Sequence, residues 1–87
     1  MTHQVIIGRR LEKMLATLDK SVVRRIYQRL QELALDPYSP RISKPLKMMA
    51  GQRSSRVGDW RITYCIHDVE KMIEIMTIVP RGKAYDL

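Results

Sequence analysis

The sequence predicts an α+β domain in which two N-terminal helices pack on one face of a small, mainly antiparallel sheet, in the order β-α-α-β-β-β. Apolar residues recur at helical spacing in the first half of the chain, and they alternate with polar residues in the second half. Turn signals separate the alternating runs. Eighty-seven residues suffice for one core, so residues 1–87 are expected to form a single domain.

The helices are predicted from the spacing of apolar residues. Residues 3–7 suit a short first strand, which Gly8 ends. The next apolar residues fall at i, i+3, i+4 and i+7: Leu11, Met14, Leu15 and Leu18. Asp19 suits the N-cap of a second helix, whose apolar row runs from Val22 to Ala34. The two rows are almost in phase, so one long helix is an alternative to the preferred antiparallel pair.

The second half of the chain predicts strands joined by short turns. Pro37 ends the helices because proline cannot continue one. Turn signals lie at 58–59 and 68–71. The predicted segments are an extended connection over 41–45, a strand start at 46–49, and strands over 52–57, 60–67 and 72–79.

Arg61 lies on the polar side of the most regular of these strands. Trp60, Ile62 and Tyr64 alternate with polar residues, which is typical of a half-buried strand. Because the apolar row is expected to pack on the helices, Arg61 should project from the opposite, open face. A rigid strand positions a charged group better than a loop does.

Positive charge is concentrated around this strand. The chain has 16 lysines and arginines against 9 acidic residues, and residues 41–67 hold six of these basic residues against one acid. Such a concentration favours a polyanionic partner, either nucleic acid or an acidic protein segment. An ordinary solvated surface is the alternative interpretation.

Several other functions are disfavoured by the composition. No apolar run is long enough to cross a bilayer. Metal binding is not expected, because His3, Cys65 and His67 lack ligand spacing. A single cysteine forms no internal disulfide, which favours a reducing cytoplasm. The methionines are expected to fill gaps in the core.

The motifs at residues 44–47, 56–64 and 81–85, in this order and spacing, resemble the RelE/ParE toxins of bacterial toxin–antitoxin systems. The resemblance covers nearly the whole chain and is strongest to RelE. It implies a ribosome-dependent endoribonuclease that cuts mRNA in the ribosomal A site. It also implies a RelB-like antitoxin as partner, and neither a cofactor nor a membrane.

The resemblance also implies roles for individual residues. Arg61 matches an arginine that stabilises the attacked phosphate, Arg81 a second active-site arginine, and Tyr85 a tyrosine that orients the RNA. Arg56 falls near a position that is basic in RelE, and Pro80 replaces a histidine common in relatives. RNA or ribosome binding is expected of Lys44, Lys47, Arg53 and Lys83.

Arginine at these positions changes the expected chemistry. Attack by a ribose 2′-hydroxyl needs a group that takes its proton, and arginine is effectively never deprotonated. Lys47, Lys83 and Tyr85 remain as titratable candidates, and His67 is too far along the strand from Arg61. We therefore expect a nuclease that works by positioning and electrostatics. The alternatives are a ParE-like inhibitor of DNA gyrase and a non-catalytic RNA-binding module.

Overall fold

The computed structural model describes residues 2–80, and within them the chain forms two helices and five strands. The elements in chain order are β1 (Gln4–Ile6), α1 (Arg9–Leu15), α2 (Lys20–Leu35), β2 (Lys44–Pro45), β3 (Gln52–Val57), β4 (Trp60–His67) and β5 (Met72–Pro80). The α+β prediction is confirmed, and so is the prediction of two helices rather than one. The additional element is the short strand β2.

The strands form one sheet in the order β1-β5-β4-β3-β2. β1 runs parallel to β5, and every other neighbouring pair is antiparallel. The predicted hairpin strands are therefore neighbours in sequence order, with β4 at the centre of the sheet. This arrangement places β2 at one edge of the sheet and β1 at the other.

The core lies between α2 and one face of the sheet. Ile26, Leu30 and Leu33 are buried along one side of α2, at the spacing of a helical face. They belong to the same buried cluster as the apolar row of β4 and the inward residues of β5: Ile62, Tyr64, Ile73, Ile75 and Ile78. Burial of each such side chain contributes about 1.5–3 kcal/mol.

The segment between β2 and β3 differs from the prediction. Residues 46–49 were expected to begin a strand, but the strand covers only Lys44–Pro45 and a turn follows. Gly51 has φ +81° in this turn, and the Leu46 amide then donates to the Gln52 carbonyl at 2.9 Å. Because the turn projects into solvent, Met48 is 75% exposed, and the prediction that the methionines all fill the core is wrong.

The turn between β3 and β4 is the predicted Gly58–Asp59 pair. Gly58 has φ +58°, the conformation required of the first central residue in a type II′ hairpin turn. A Cβ atom at this position would lie 2.8 Å from Nη2 of Arg25 in α2. Glycine is therefore favoured here by the backbone conformation, whereas the flexible Arg25 side chain could shift to make room for a Cβ atom.

Candidate nucleic-acid interface

A hollow of about 490 Å³ opens beside β3, next to the loop that leads into β2. We name this opening the basic hollow. Its described lining residues are Arg29, Pro40, Arg41, Ile42, Ser43, Lys44, Ser54, Arg56 and Arg61. Among these residues five are basic and none is acidic. The hollow therefore offers a strongly positive site for an anion.

The hollow exists because β2 is so short. β2 pairs with β3 only at Ser54 and Arg53, so the far end of β3 has no strand neighbour on that side in the described chain. Arg29 of α2 covers this edge, since its Nη1 donates to the Arg56 carbonyl at 2.7 Å and to the Ser55 hydroxyl at 2.9 Å. Nε of Arg29 donates to Glu32 at 2.9 Å. These bonds fix the end of β3 that carries Arg56.

Arg61 lies on the expected face of β4 but is not exposed there. Its side chain is on the opposite face from Ile62 and Tyr64, yet the residue is only 7% exposed. Nη1 donates to the Ser54 hydroxyl across the strand pair at 3.2 Å. The guanidinium group is therefore held against the sheet, where a bound anion would meet it with little reorganisation.

Arg56 and Arg61 occupy directly opposite positions on β3 and β4. Residues paired in this way share a face of the sheet, and like charges at such a pair are unfavourable. Among the residues of the range 2–80, no carboxylate forms a salt bridge with Arg56, whose Nε donates to the Gly58 carbonyl at 3.2 Å. The pair therefore concentrates positive charge at the rim of the hollow.

The other wall of the hollow is the loop before β2, which Tyr64 holds in place. The buried Tyr64 hydroxyl donates to the Pro37 carbonyl at 2.8 Å and is also in hydrogen-bond contact with the Ser43 hydroxyl. Nε of Arg53 donates to the same Ser43 oxygen at 2.7 Å. Burial raises the pKa of Tyr64 above its ordinary value of 10.0, so the hydroxyl keeps its proton.

The structure brings together only part of the predicted site. Lys44, Arg56 and Arg61 line the basic hollow. Arg53 does not, because it pairs with Tyr64 on the helix-facing side of the sheet and its guanidinium lies 5.3 Å from the centroid of the Tyr38 ring. Lys47 is exposed in the turn after β2. The remaining predicted site residues lie outside the described range: Arg81, Lys83 and Tyr85.

Two lining arginines were not singled out as site residues from the sequence. Arg29 lies three residues after Ile26 and four before Leu33, so it borders the buried face of α2. This spacing is a signal that its side chain reaches the sheet rather than solvent. Arg41 precedes β2 in a loop, where sequence patterns give little guidance to side-chain direction.

The described residues give little support to a reactive thiol, a metal site or a membrane-spanning helix. Burial raises the pKa of the Cys65 thiol, with a further contribution from Glu74, and this disfavours the reactive thiolate. Residues 2–80 contain no cluster of three or more side chains able to hold a metal ion. Within the same residues, no helix is long and apolar enough to span a membrane.

Comparisons with known proteins agree with the architecture. The family model described as "ParE toxin of type II toxin-antitoxin system, parDE" matches residues 7–85. The fold is similar to RelE in the archaeal RelE–RelB complex from Pyrococcus horikoshii OT3, with TM-score 0.80 and 28% identity over 95% of this chain and 99% of the other. No curated protein sequence matches significantly.

Two more distant structures share the fold. The RelBE2 toxin–antitoxin complex from Mycobacterium tuberculosis matches with TM-score 0.79 and 24% identity, over 93% of this chain and 100% of the other. The YoeB/ParE toxin from Agrobacterium tumefaciens matches with TM-score 0.75 and 18% identity, over 88% of this chain and 96% of the other. The family model spans most of the chain, and the RelE/ParE resemblance is confirmed. The chain belongs to the ParE toxin family and is the toxin of a type II toxin–antitoxin system.

Proposed function

We propose that this toxin is a ribosome-dependent endoribonuclease that inhibits translation by cutting mRNA in the ribosomal A site. The observation that carries the proposal is the basic hollow, in which Arg56 and Arg61 stand opposite each other on a rigid strand pair. Two guanidinium groups that share one face of the sheet can both donate hydrogen bonds to one anion. A phosphodiester supplies that anion.

The proposed reaction is attack by a ribose 2′-hydroxyl on the adjacent phosphorus. A bond forms between the 2′-oxygen and phosphorus, and the bond from phosphorus to the 5′-oxygen breaks. The 2′-hydroxyl loses its proton to a base, and the leaving oxygen gains one from an acid. Negative charge rises on the non-bridging oxygens meanwhile, and the preformed Arg61 guanidinium is suited to stabilise it.

Proton transfer needs a side chain other than arginine. Among the described lining residues of the hollow, Lys44 is the only other basic side chain. Lys47, Lys83 and Tyr85 are the further candidates from the sequence. The described arginines supply binding and charge, and the ribosome supplies the geometry that brings the 2′-hydroxyl into line.

A RelB-like antitoxin is the proposed protein partner. Several solved relatives of this fold are RelE–RelB or RelBE complexes, from Pyrococcus horikoshii, Mycobacterium tuberculosis and Escherichia coli. An antitoxin that covers the basic hollow would also neutralise its charge. We expect the antitoxin to carry an acidic segment, because net charge on this chain is +7.

The test is cleavage of a defined mRNA on purified translating ribosomes, read by primer extension. The wild-type toxin should give cuts in phase with the codons. Arg61→Gln should abolish them while the circular dichroism spectrum stays unchanged. Arg10→Gln, an equal change of charge on α1, is the control and should retain activity. Cleavage by Arg61→Gln at the wild-type rate would refute the proposal.

The second candidate function is inhibition of DNA gyrase, which the description of the matching family model favours. Under this alternative the toxin leaves mRNA intact, and purified gyrase accumulates trapped double-strand breaks in its presence. RNA binding without either activity would instead support the non-catalytic module.

A further inference from the structure

Arg25 places a positive charge directly on the β3–β4 turn. A Cβ atom at Gly58 would lie 2.8 Å from its Nη2 and 3.4 Å from its Cζ and Nη1, so the guanidinium group covers the turn backbone. Asp59 follows in the same turn and is exposed. Across residues 2–80, neither Asp59 nor any other carboxylate forms a salt bridge with Arg25.

This charge continues the basic hollow around the end of the hairpin. Arg56 lines the hollow, and its Nε donates to the carbonyl of the same Gly58 that Arg25 covers. Arg29, one helical turn after Arg25, donates to the Arg56 carbonyl. Arginines from α2 and β3 thus border one turn, and Arg56 belongs both to this turn region and to the lining of the hollow.

We propose that Arg25 and the β3–β4 turn form a second phosphate subsite, which binds the phosphate next to the one held in the basic hollow. Guanidinium groups bind phosphate through two parallel hydrogen bonds, and a continuous run of them fits a strand with regularly spaced charges. The occupant is a single-stranded RNA. This inference rests on the proposed function, because it extends the same RNA past the hollow.

The experiment measures binding of 2′-O-methyl RNA oligonucleotides, which lack the attacking hydroxyl, by NMR titration at several salt concentrations. A dinucleotide with one phosphate is compared with a trinucleotide with two. The variants are Arg25→Gln, Arg56→Gln and the charge-matched control Arg10→Gln on α1, the helix that follows the opposite edge of the sheet.

Arg25→Gln should bind the trinucleotide no more tightly than the dinucleotide, whereas Arg10→Gln should keep the wild-type preference for the longer RNA. The slope of log affinity against log salt for the trinucleotide should fall by about 0.7 in Arg25→Gln, the value for one lost phosphate contact on a single strand.

Three results would overturn the subsite, each with a different meaning. If Arg25→Gln matches wild type while Arg56→Gln binds both RNAs weakly, the subsite is wrong and the proposed function stands. If Arg25→Gln loses affinity only for an acidic antitoxin peptide, the surface is a protein contact. If all variants and wild type bind both RNAs equally, the subsite is wrong, and the proposed function fails too if codon-phased cleavage on ribosomes is also absent.

Discussion

Replacing Tyr64 by phenylalanine should destabilise the protein although it removes only one oxygen atom. The ring is fully buried, and its packing against the core is retained in the variant. The lost hydroxyl leaves the buried Pro37 carbonyl without the 2.8 Å hydrogen bond that holds the loop before β2. The Ser43 hydroxyl keeps its bond from Arg53, so one orphaned acceptor dominates the effect.

A buried polar group left without its partner costs about 1–3 kcal/mol, and we expect a loss of this size in the free energy of unfolding. Each kcal/mol lowers Tm by about 4–8 °C in a domain of this length. Urea unfolding, followed by circular dichroism and by the fluorescence of Trp60, measures the change. The slope of free energy against urea should match wild type, since the surface exposed on unfolding is the same.

The matched control is Tyr27→Phe on α2, where the tyrosine is 40% exposed and water can replace any bond of its hydroxyl. Its effect should stay within about 0.5 kcal/mol. If Tyr64→Phe also stays within that limit, the hydroxyl does not hold the loop, and the account of this wall of the hollow is refuted.

Three further changes test the electrostatics and the turn. Arg56→Gln should stabilise the free protein by about 0.2–1 kcal/mol in low salt by removing the like-charged pair, and a Tm gain that persists in concentrated phosphate would contradict this. Gly58→Ala should cost about 1–2 kcal/mol in chemical denaturation because of its positive φ, whereas Gly8→Ala, at φ −74° and with open space around it, should cost far less. The hydrogen bond from Tyr38 lowers the pKa of Asp68 below its ordinary 3.8, so the stability it contributes is present above pH 3.8 and lost as pH falls further. Asp68→Asn should remove this acid limb from the stability–pH curve, and a variant with an unchanged acid limb would refute the assignment.

The structural features that depend on a local sequence pattern were predicted well. The alternation after Trp60 indicated which side of β4 faces the core, and the Gly58–Asp59 pair indicated the turn that places Arg56 opposite Arg61. These predictions succeed because side-chain direction in a strand follows a period of two, and because few residues adopt a positive φ. Register then follows from the turn.

The structural features that depend on contacts between distant segments of the chain were predicted poorly. Arg61 is only 7% exposed, although alternation along β4 alone suggested exposure. Arg53 shares its strand with Arg56 but faces the opposite side, where Ser43 accepts its hydrogen bond. Positive charge in a segment therefore suggests an anion-binding surface, but it does not show which of the basic side chains line the same site.

The position of the basic hollow follows from the way the protein protects a strand edge. An edge strand with free backbone groups invites pairing with other chains, and many proteins cover it with a further strand or with charge. Here β2 begins only at Lys44, opposite Ser54, and Arg29 from α2 donates to the Arg56 carbonyl where an earlier start of β2 would have paired. A longer β2 would fill the hollow with backbone and remove the anion site. The short strand and the Arg29 bond therefore act together: Arg29 covers the Arg56 carbonyl against strand pairing, while the space beside it stays open as the basic hollow.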